Sequence, residues 1–140
     1  MPSAELENLT KIKKLKTEPG SQSEFDGLLR SGQRRLADAL KTSLSAESRF
    51  DLAYNAAHAF ALAALRWHGY RSDNRYIVFQ CLPHTLGLAN EKWRVLDQAH
   101  NKRNLAEYEG DTDVDDSLLE AVLRIAQEVG QLVSRLGVVP

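Results

Sequence analysis

The residues best suited to chemistry lie close together late in the chain. "HNKRNLAEYEG", residues 100–110, places His100, Lys102, Arg103, Asn104, Glu107 and Tyr108 within nine positions, with Leu105 and Ala106 between them. Arg103 and Lys102 are cations of the type that neutralise phosphates. At about 100° per residue, Val95, Leu96, Ala99, Arg103 and Ala106 share one helix face, so Arg103 interrupts an apolar line. An unpaired buried charge is prohibitively costly, so an arginine there must be paired or must line a cavity. Glu107 is spaced to pair with it, and His100 and Asn104 have the same spacing. A purely structural reading is an Arg103–Glu107 pair with Asn104 holding neighbouring backbone. The functional reading rests on continuity: the polar group is unbroken and adjoins an apolar stripe.

The elements that must position this group read as helices. Leu6, Leu9, Ile12 and Leu15 recur at three-residue steps, which predicts a short amphipathic N-terminal helix. "TEPGSQS" breaks it. A second helix is expected from about Ser23 to Ser43, with Phe25, Leu28, Leu29, Leu36, Ala39 and Leu40 on one side and Arg30, Arg34 and Arg35 on the other. Ser45 can cap a third helix that runs to His68, where Gly69 stops it. This segment is alanine-rich on two faces: Phe50, Ala53, Ala57, Phe60 and Ala64 form one stripe, and Leu52, Ala56, Ala59 and Ala63 the other. Small residues on both faces let two neighbours approach closely, so it is the central helix of a bundle. "YRSDN" is a loop, and "RYIVFQCLPHTLGLA" a shorter helix split by Pro83. Tyr, Ile, Val and Phe would suit a strand there, but no second strand exists to pair with it.

A fifth helix is expected over Asn90–Glu109, ending at Gly110. The last, "SLLEAVLRIAQEVGQLVSRL", carries Leu118, Val122, Ile125, Val129, Leu132 and Leu136 as an apolar seam. Glycine and proline fall between these segments, not inside them. The sum is an all-α antiparallel bundle of four to five main helices, residues 21–140, plus a short N-terminal helix or arm over residues 1–20.

At 140 residues, 43% hydrophobic and 26% charged, the chain is one globular domain's worth. A net charge of −1 gives no overall basic field, so any nucleic-acid contact must come from a local patch. Cys81 is the single cysteine, which excludes an intrachain disulfide and fits a reducing compartment. No apolar run reaches transmembrane length and the N-terminus lacks a signal-peptide core, so the expected location is cytoplasmic.

"RFDLAYNAAHAFALAALRWHGYRS", "CLPHTLGL" and "KRNLAEYEG", in that order, resemble the HEPN superfamily of small helical bundles. The resemblance covers roughly residues 26–136 and is strongest over 49–110; an Arg-Asn pair late in a helix, then a Tyr and a turn, is its most recognisable feature. It implies an antiparallel bundle that forms a homodimer with the two Arg-Asn segments close together. The excess of apolar helix faces points the same way. Many such proteins bind RNA or are metal-independent ribonucleases, and a number act as toxins beside a nucleotidyltransferase-type partner. Their ribonuclease motif is an arginine, which stabilises charge on the scissile phosphate, followed five to seven residues later by a histidine that moves the 2′-hydroxyl proton. Here those positions after Arg103 hold Tyr108, Glu109 and Gly110. A tyrosine, with a pKa of about 10, is a poor base at neutral pH. His100, three residues before Arg103, is the available substitute.

The resemblance therefore implies RNA or nucleotide binding at Arg103, Asn104, Lys102 and Glu107, in a toxin–antitoxin or defence component. Arg103, His100 and Tyr108 would be the catalytic group if the protein cleaves RNA. The alternative is a non-catalytic helical dimer or partner-binding protein whose polar cluster is structural.

Other features have plainer readings. His58 and Asn55 lie on the central helix with Asp51, and His58 either meets the Arg103 cluster or is a satisfied core residue. Glu-x-x-His and His-x-x-x-His are both absent, so neither a di-iron nor a zinc site is expected, and no cofactor is. Asp111, Asp113 and Asp115 mimic a calcium loop, but its sixth-position glycine is missing and its twelfth position is Val122. Acidic residues there cap the following helix. Arg30, Arg34, Arg35, Lys41 and "KIKK" at 11–14 are read as solvated basic faces that could also touch phosphates.

Overall fold

The alanine-rich segment forms the longest helix of the chain, and the rest of the molecule packs around it. A computed structural model of the protein describes residues 3–110 and 113–140. Its helices are α1 (Ala4–Lys11), α2 (Gln22–Ala39), α3 (Ala46–Trp67), α4 (Arg75–Gln80), α5 (Leu82–Thr85), α6 (Asn90–Glu109) and α7 (Asp116–Ser134). Serine hydroxyls start α2 and α3: Glu24 N–H donates to Ser21 and Ser48 N–H to Ser45. Asn74 and Asp115 do the same for α4 and α7. Gly110, in the left-handed conformation at φ 73°, closes α6.

Both alanine stripes are buried as their spacing requires, Leu52 partly so, and α3 touches α2, α4, α5, α6 and α7. Those apolar faces are thus covered within one chain. Leu6 and Leu15 from the N-terminal segment enter the same core.

Glycines also lie inside helices, against expectation: Gly27 and Gly32 in α2 and Gly130 in α7. Two of them have a packing reason. The buried Phe60 ring of α3 lies between Gly32 and Gly130, and a Cβ at Gly130 would sit 2.8 Å from its Cε2. Gly32 leaves even less room. The two glycines let α2 and α7 close on a bulky ring. The buried face of α7 is correspondingly wider than the expected seam. It adds Leu119, Leu123, Ala126, Gly130 and Val133, while Leu118, Leu132 and Leu136 are only partly buried.

Tyr70 and Arg71, expected in a loop, form a short strand β2 antiparallel to β1 (Lys16–Thr17). Arg66, 2% exposed, organises this corner. Its guanidinium donates to Glu24 Oε1 at 2.7 Å and to the carbonyls of Glu18, Pro19 and Tyr70. Arg71 adds ion pairs to Glu18 and Glu24, and these hold the Glu24 carboxyl below the usual range. The "RYIVFQCLPHT" region is two helices, α4 and α5, meeting at Cys81 just before Pro83.

Of the acidic run expected to cap the last helix, Asp111 lies outside the described residues; Asp115 caps α7. Arg30, Arg34, Arg35, Lys41 and Lys11–Lys14 are exposed. Among the described residues, no helix is long and apolar enough to cross a membrane.

Candidate functional site

Asp51, Tyr54, Asn55 and His58 recur at the i, i+3, i+4, i+7 spacing of one helix face on α3. Three of the four receive polar groups from α4 or α6. Arg103 Nε donates to Asp51 Oδ1 at 3.2 Å, and Arg103 Nη1 to Glu107 Oε2 at 3.3 Å. The Arg103–Glu107 pair expected from spacing is therefore present, and a second carboxylate from α3 joins it. The guanidinium carbon of Arg103 lies 5.5 Å from the Tyr54 ring centroid; that of Arg75, from α4, lies 5.3 Å from the same ring. Arg75 also donates to Asn55 Oδ1 at 3.0 Å.

The Tyr54 side chain is fully buried, and its hydroxyl stands 2.8 Å from His100 Nδ1. His100 Nε2 is 3.4 Å from the Asn104 amide nitrogen. A neutral imidazole carries one donor and one acceptor. With Tyr54 donating to Nδ1, the ring proton sits on Nε2 and faces the Asn104 amide with its oxygen turned inward. With Asn104 donating to Nε2, the proton sits on Nδ1 and is donated to Tyr54. Either arrangement commits both ring nitrogens.

The surroundings favour the neutral forms of Tyr54, His100 and His58. Burial raises the Tyr54 hydroxyl pKa, against the opposing pull of Arg75 and Arg103. Burial lowers that of His100, helped by Arg75 and Arg103 and opposed by Asp97. His58 is pushed down to about 4, first by burial and then by Arg75, Arg35 and His100. Its ring meets Phe79 edge-on at 5.9 Å, a core contact and not a link to Arg103.

Beside this cluster opens a cavity of about 600 Å³ between the start of α3, the end of α6 and the segment before α7. Arg103 and Lys102 line it together with the carboxylates of Glu47, Asp51 and Glu107; Phe50, Leu52, Ala106 and Val114 supply apolar wall. The volume is in the range of small-ligand pockets. Among the described residues, no three His, Cys, Asp or Glu side chains converge as metal ligands would.

The site residues singled out in the sequence are thus divided. Lys102, Arg103 and Glu107 line the cavity. His100 and Asn104 lie behind it, engaged with each other and with Tyr54. Tyr108 is 80% exposed and does not line it. Arg103 itself keeps 30% of its side chain exposed, at the cavity wall and not in the core. Sequence reasoning passed over Tyr54 and Arg75. The signal was the polar face of α3, whose four members were three-quarters named. Arg75 carried none, because only the tertiary fold brings α4 beside Tyr54.

The chain matches no family model, and no curated protein is similar to it in sequence at a level that would establish a relationship.

Proposed function

We propose that the protein is a HEPN-like bundle that binds RNA or a nucleotide in the α3–α6 cavity. One observation carries the reading: a ligand-sized cavity with Arg103 and Lys102 on its wall, where Arg103 is fixed from two helices and from the face of Tyr54. A guanidinium held in advance loses less freedom when it meets a phosphate. Phe50 and Leu52 offer apolar contact to a base, and the carboxylates offer acceptors to its amino groups or to ribose hydroxyls. Such mixed chemistry suits one nucleotide unit better than a long run of phosphates.

The binding residues in this reading are Arg103 and Lys102, with Glu107 on the wall and Asn104 acting through His100. Cleavage is not part of it: both nitrogens of His100 are engaged, and Tyr108 does not line the cavity. In the same proposal the protein works in the cytoplasm as a homodimer, as a toxin–antitoxin or defence component beside a nucleotidyltransferase-type protein. The support for that part is the HEPN resemblance together with the exposed Leu105 and Tyr108 at the end of α6, which offer apolar surface beside the Arg-Asn segment.

A second reading draws on the internal neutralisation of Arg103 by Asp51 and Glu107. In it the cluster only fixes the helices, and the α6 end is a docking face. The deciding experiment is fluorescence anisotropy of labelled single-stranded RNA with the purified protein in chelator, across a salt series, with light scattering on the same sample. The binding reading expects intact RNA, affinity that falls as salt rises because phosphate contacts release counterions, and a loss of at least about tenfold in Arg103→Ala. No binding at any salt concentration leaves the structural reading. Robust cleavage abolished by His100→Ala would instead establish a ribonuclease.

A further inference from the structure

The cavity is not a simple anion hole. Its two cations face three carboxylates, and two of those already hold Arg103. The bonds that hold it, 3.2 and 3.3 Å, are longer than the roughly 2.7–2.9 Å of a strong charge-assisted pair. Both carboxylate side chains are more than half exposed, so neither is locked in place by packing. Arg103, by contrast, is also held over the Tyr54 ring. These two bonds use Nε and one Nη1 hydrogen of a guanidinium that carries five N–H donors. A phosphate that reaches the remaining donors therefore sits beside Asp51 and Glu107, or takes the place of one of them.

We infer that Asp51 and Glu107 act as a latch on Arg103 that selects the ligand: the site admits a phosphate only when the same molecule brings hydrogen-bond donors for the carboxylates beside it. This inference rests on the nucleotide-binding reading and narrows it. The class that fits is a nucleoside monophosphate unit, free or within single-stranded RNA. Its phosphate goes to Arg103 and Lys102, and its ribose hydroxyls or base amino group go to the carboxylates. Phosphate alone leaves a carboxylate facing the new negative charge with nothing in exchange. The like-charge repulsion between Asp51 or Glu107 and a phosphate a few ångströms away is what discriminates. Asp51 and Glu107 are thus specificity-determining residues that work by exclusion, in the manner of repulsive elements that reject the wrong partner.

The test uses isothermal titration of the full chain with adenosine monophosphate, with inorganic phosphate and with pyrophosphate, and anisotropy with single-stranded RNA. The readout is the ratio of affinities, because adenosine monophosphate makes more contacts in any case. In Asp51→Asn and in Glu107→Gln, phosphate and pyrophosphate should bind about tenfold tighter, with a smaller gain for adenosine monophosphate, so the ratio contracts. Asp26→Asn, a charge change on an exposed residue at the opposite end of α2, where Glu24 meets Arg66, should leave the ratio unchanged. Adding Arg103→Ala to Asp51→Asn should abolish the gain. An unchanged ratio in both carboxylate variants overturns the latch, as does a gain that survives loss of Arg103. If RNA binds the wild type and the ratio does not move, only the latch falls. If neither RNA nor adenosine monophosphate binds any variant, the nucleotide reading falls with it.

Discussion

Replacing Arg66 with alanine should destabilise the protein more than replacing Arg103, although both arginines sit in two-carboxylate clusters. Arg66 is 2% exposed and donates to one carboxylate and three main-chain carbonyls. Truncation strands those carbonyls at the junction of β1, β2 and the start of α2 and removes a partner from Glu24. Glu24 is itself 31% exposed, so the pair alone falls below the roughly 3–5 kcal/mol of a fully buried one, and the stranded carbonyls bring the loss into that range. Arg103, the charge that interrupts the apolar stripe of α6, has different surroundings. Its side chain is 30% exposed, and those of Asp51 and Glu107 are 54% and 51% exposed. Two pairs of that sort contribute about 0.2–1 kcal/mol each. The contact with Tyr54 adds roughly 0.5–1 kcal/mol. The sum for Arg103→Ala is about 1–3 kcal/mol. Urea unfolding followed by circular dichroism measures both. With a slope of about 2 kcal/mol per molar, the midpoint should fall by about 2 M for Arg66→Ala and by about 0.5–1.5 M for Arg103→Ala. Equal losses, or a larger loss at Arg103, would show that the α3–α6 cluster is drier than its exposure implies and would refute the ranking.

Acid should destabilise the fold through His58. Its folded pKa of about 4 lies below the ordinary 6.5, so between these values the unfolded chain holds a proton that the native protein does not. Stability must then fall as pH drops from about 6.5 towards 4, by up to about 1.4 kcal/mol per pH unit. The charged groups nearest His58, namely Arg75, Arg35 and His100, all oppose its protonation. Unfolding free energies of His58→Gln measured from pH 7 to 4.5 should show a shallower decline than wild type, and parallel curves would sink the claim. Gly130→Ala should destabilise by about 1–3 kcal/mol, because the added Cβ meets a Phe60 ring already backed by Gly32. Gly27→Ala, with open space around the new methyl, should stabilise α2 by up to about 1 kcal/mol. Thermal melts of the two variants should move in opposite directions.

Much of the fold was legible because it rests on local periodicity. The alanine stripes of α3, the serine cap at Ser45, the break near Pro83 and the stop at Gly110 each follow from residues within a turn or two of where they act. The bounds of α6 and the spacing of Arg103 to Glu107 are of the same kind. What the one-dimensional pattern could not carry was identity of partners across the chain. Gly32 and Gly130 read as helix-weakening residues until Phe60 is seen between them. Arg66 reads as a surface charge at the end of a helix until the carbonyls of Glu18 and Pro19 arrive from more than forty residues away.

The candidate site divides along the same line. Sequence spacing by itself determined that His100, Arg103, Asn104 and Glu107 share an edge of α6 and that Asp51 and Asn55 share a face of α3, because helix geometry is a property of the local chain. Only the tertiary structure decided that these two faces meet. It turned Tyr54 inward against His100, placed Arg75 over the same ring, and gave Arg103 a second carboxylate. Charges interact through space with a strength set by distance and solvent exposure, and neither quantity exists until helices far apart in sequence have packed.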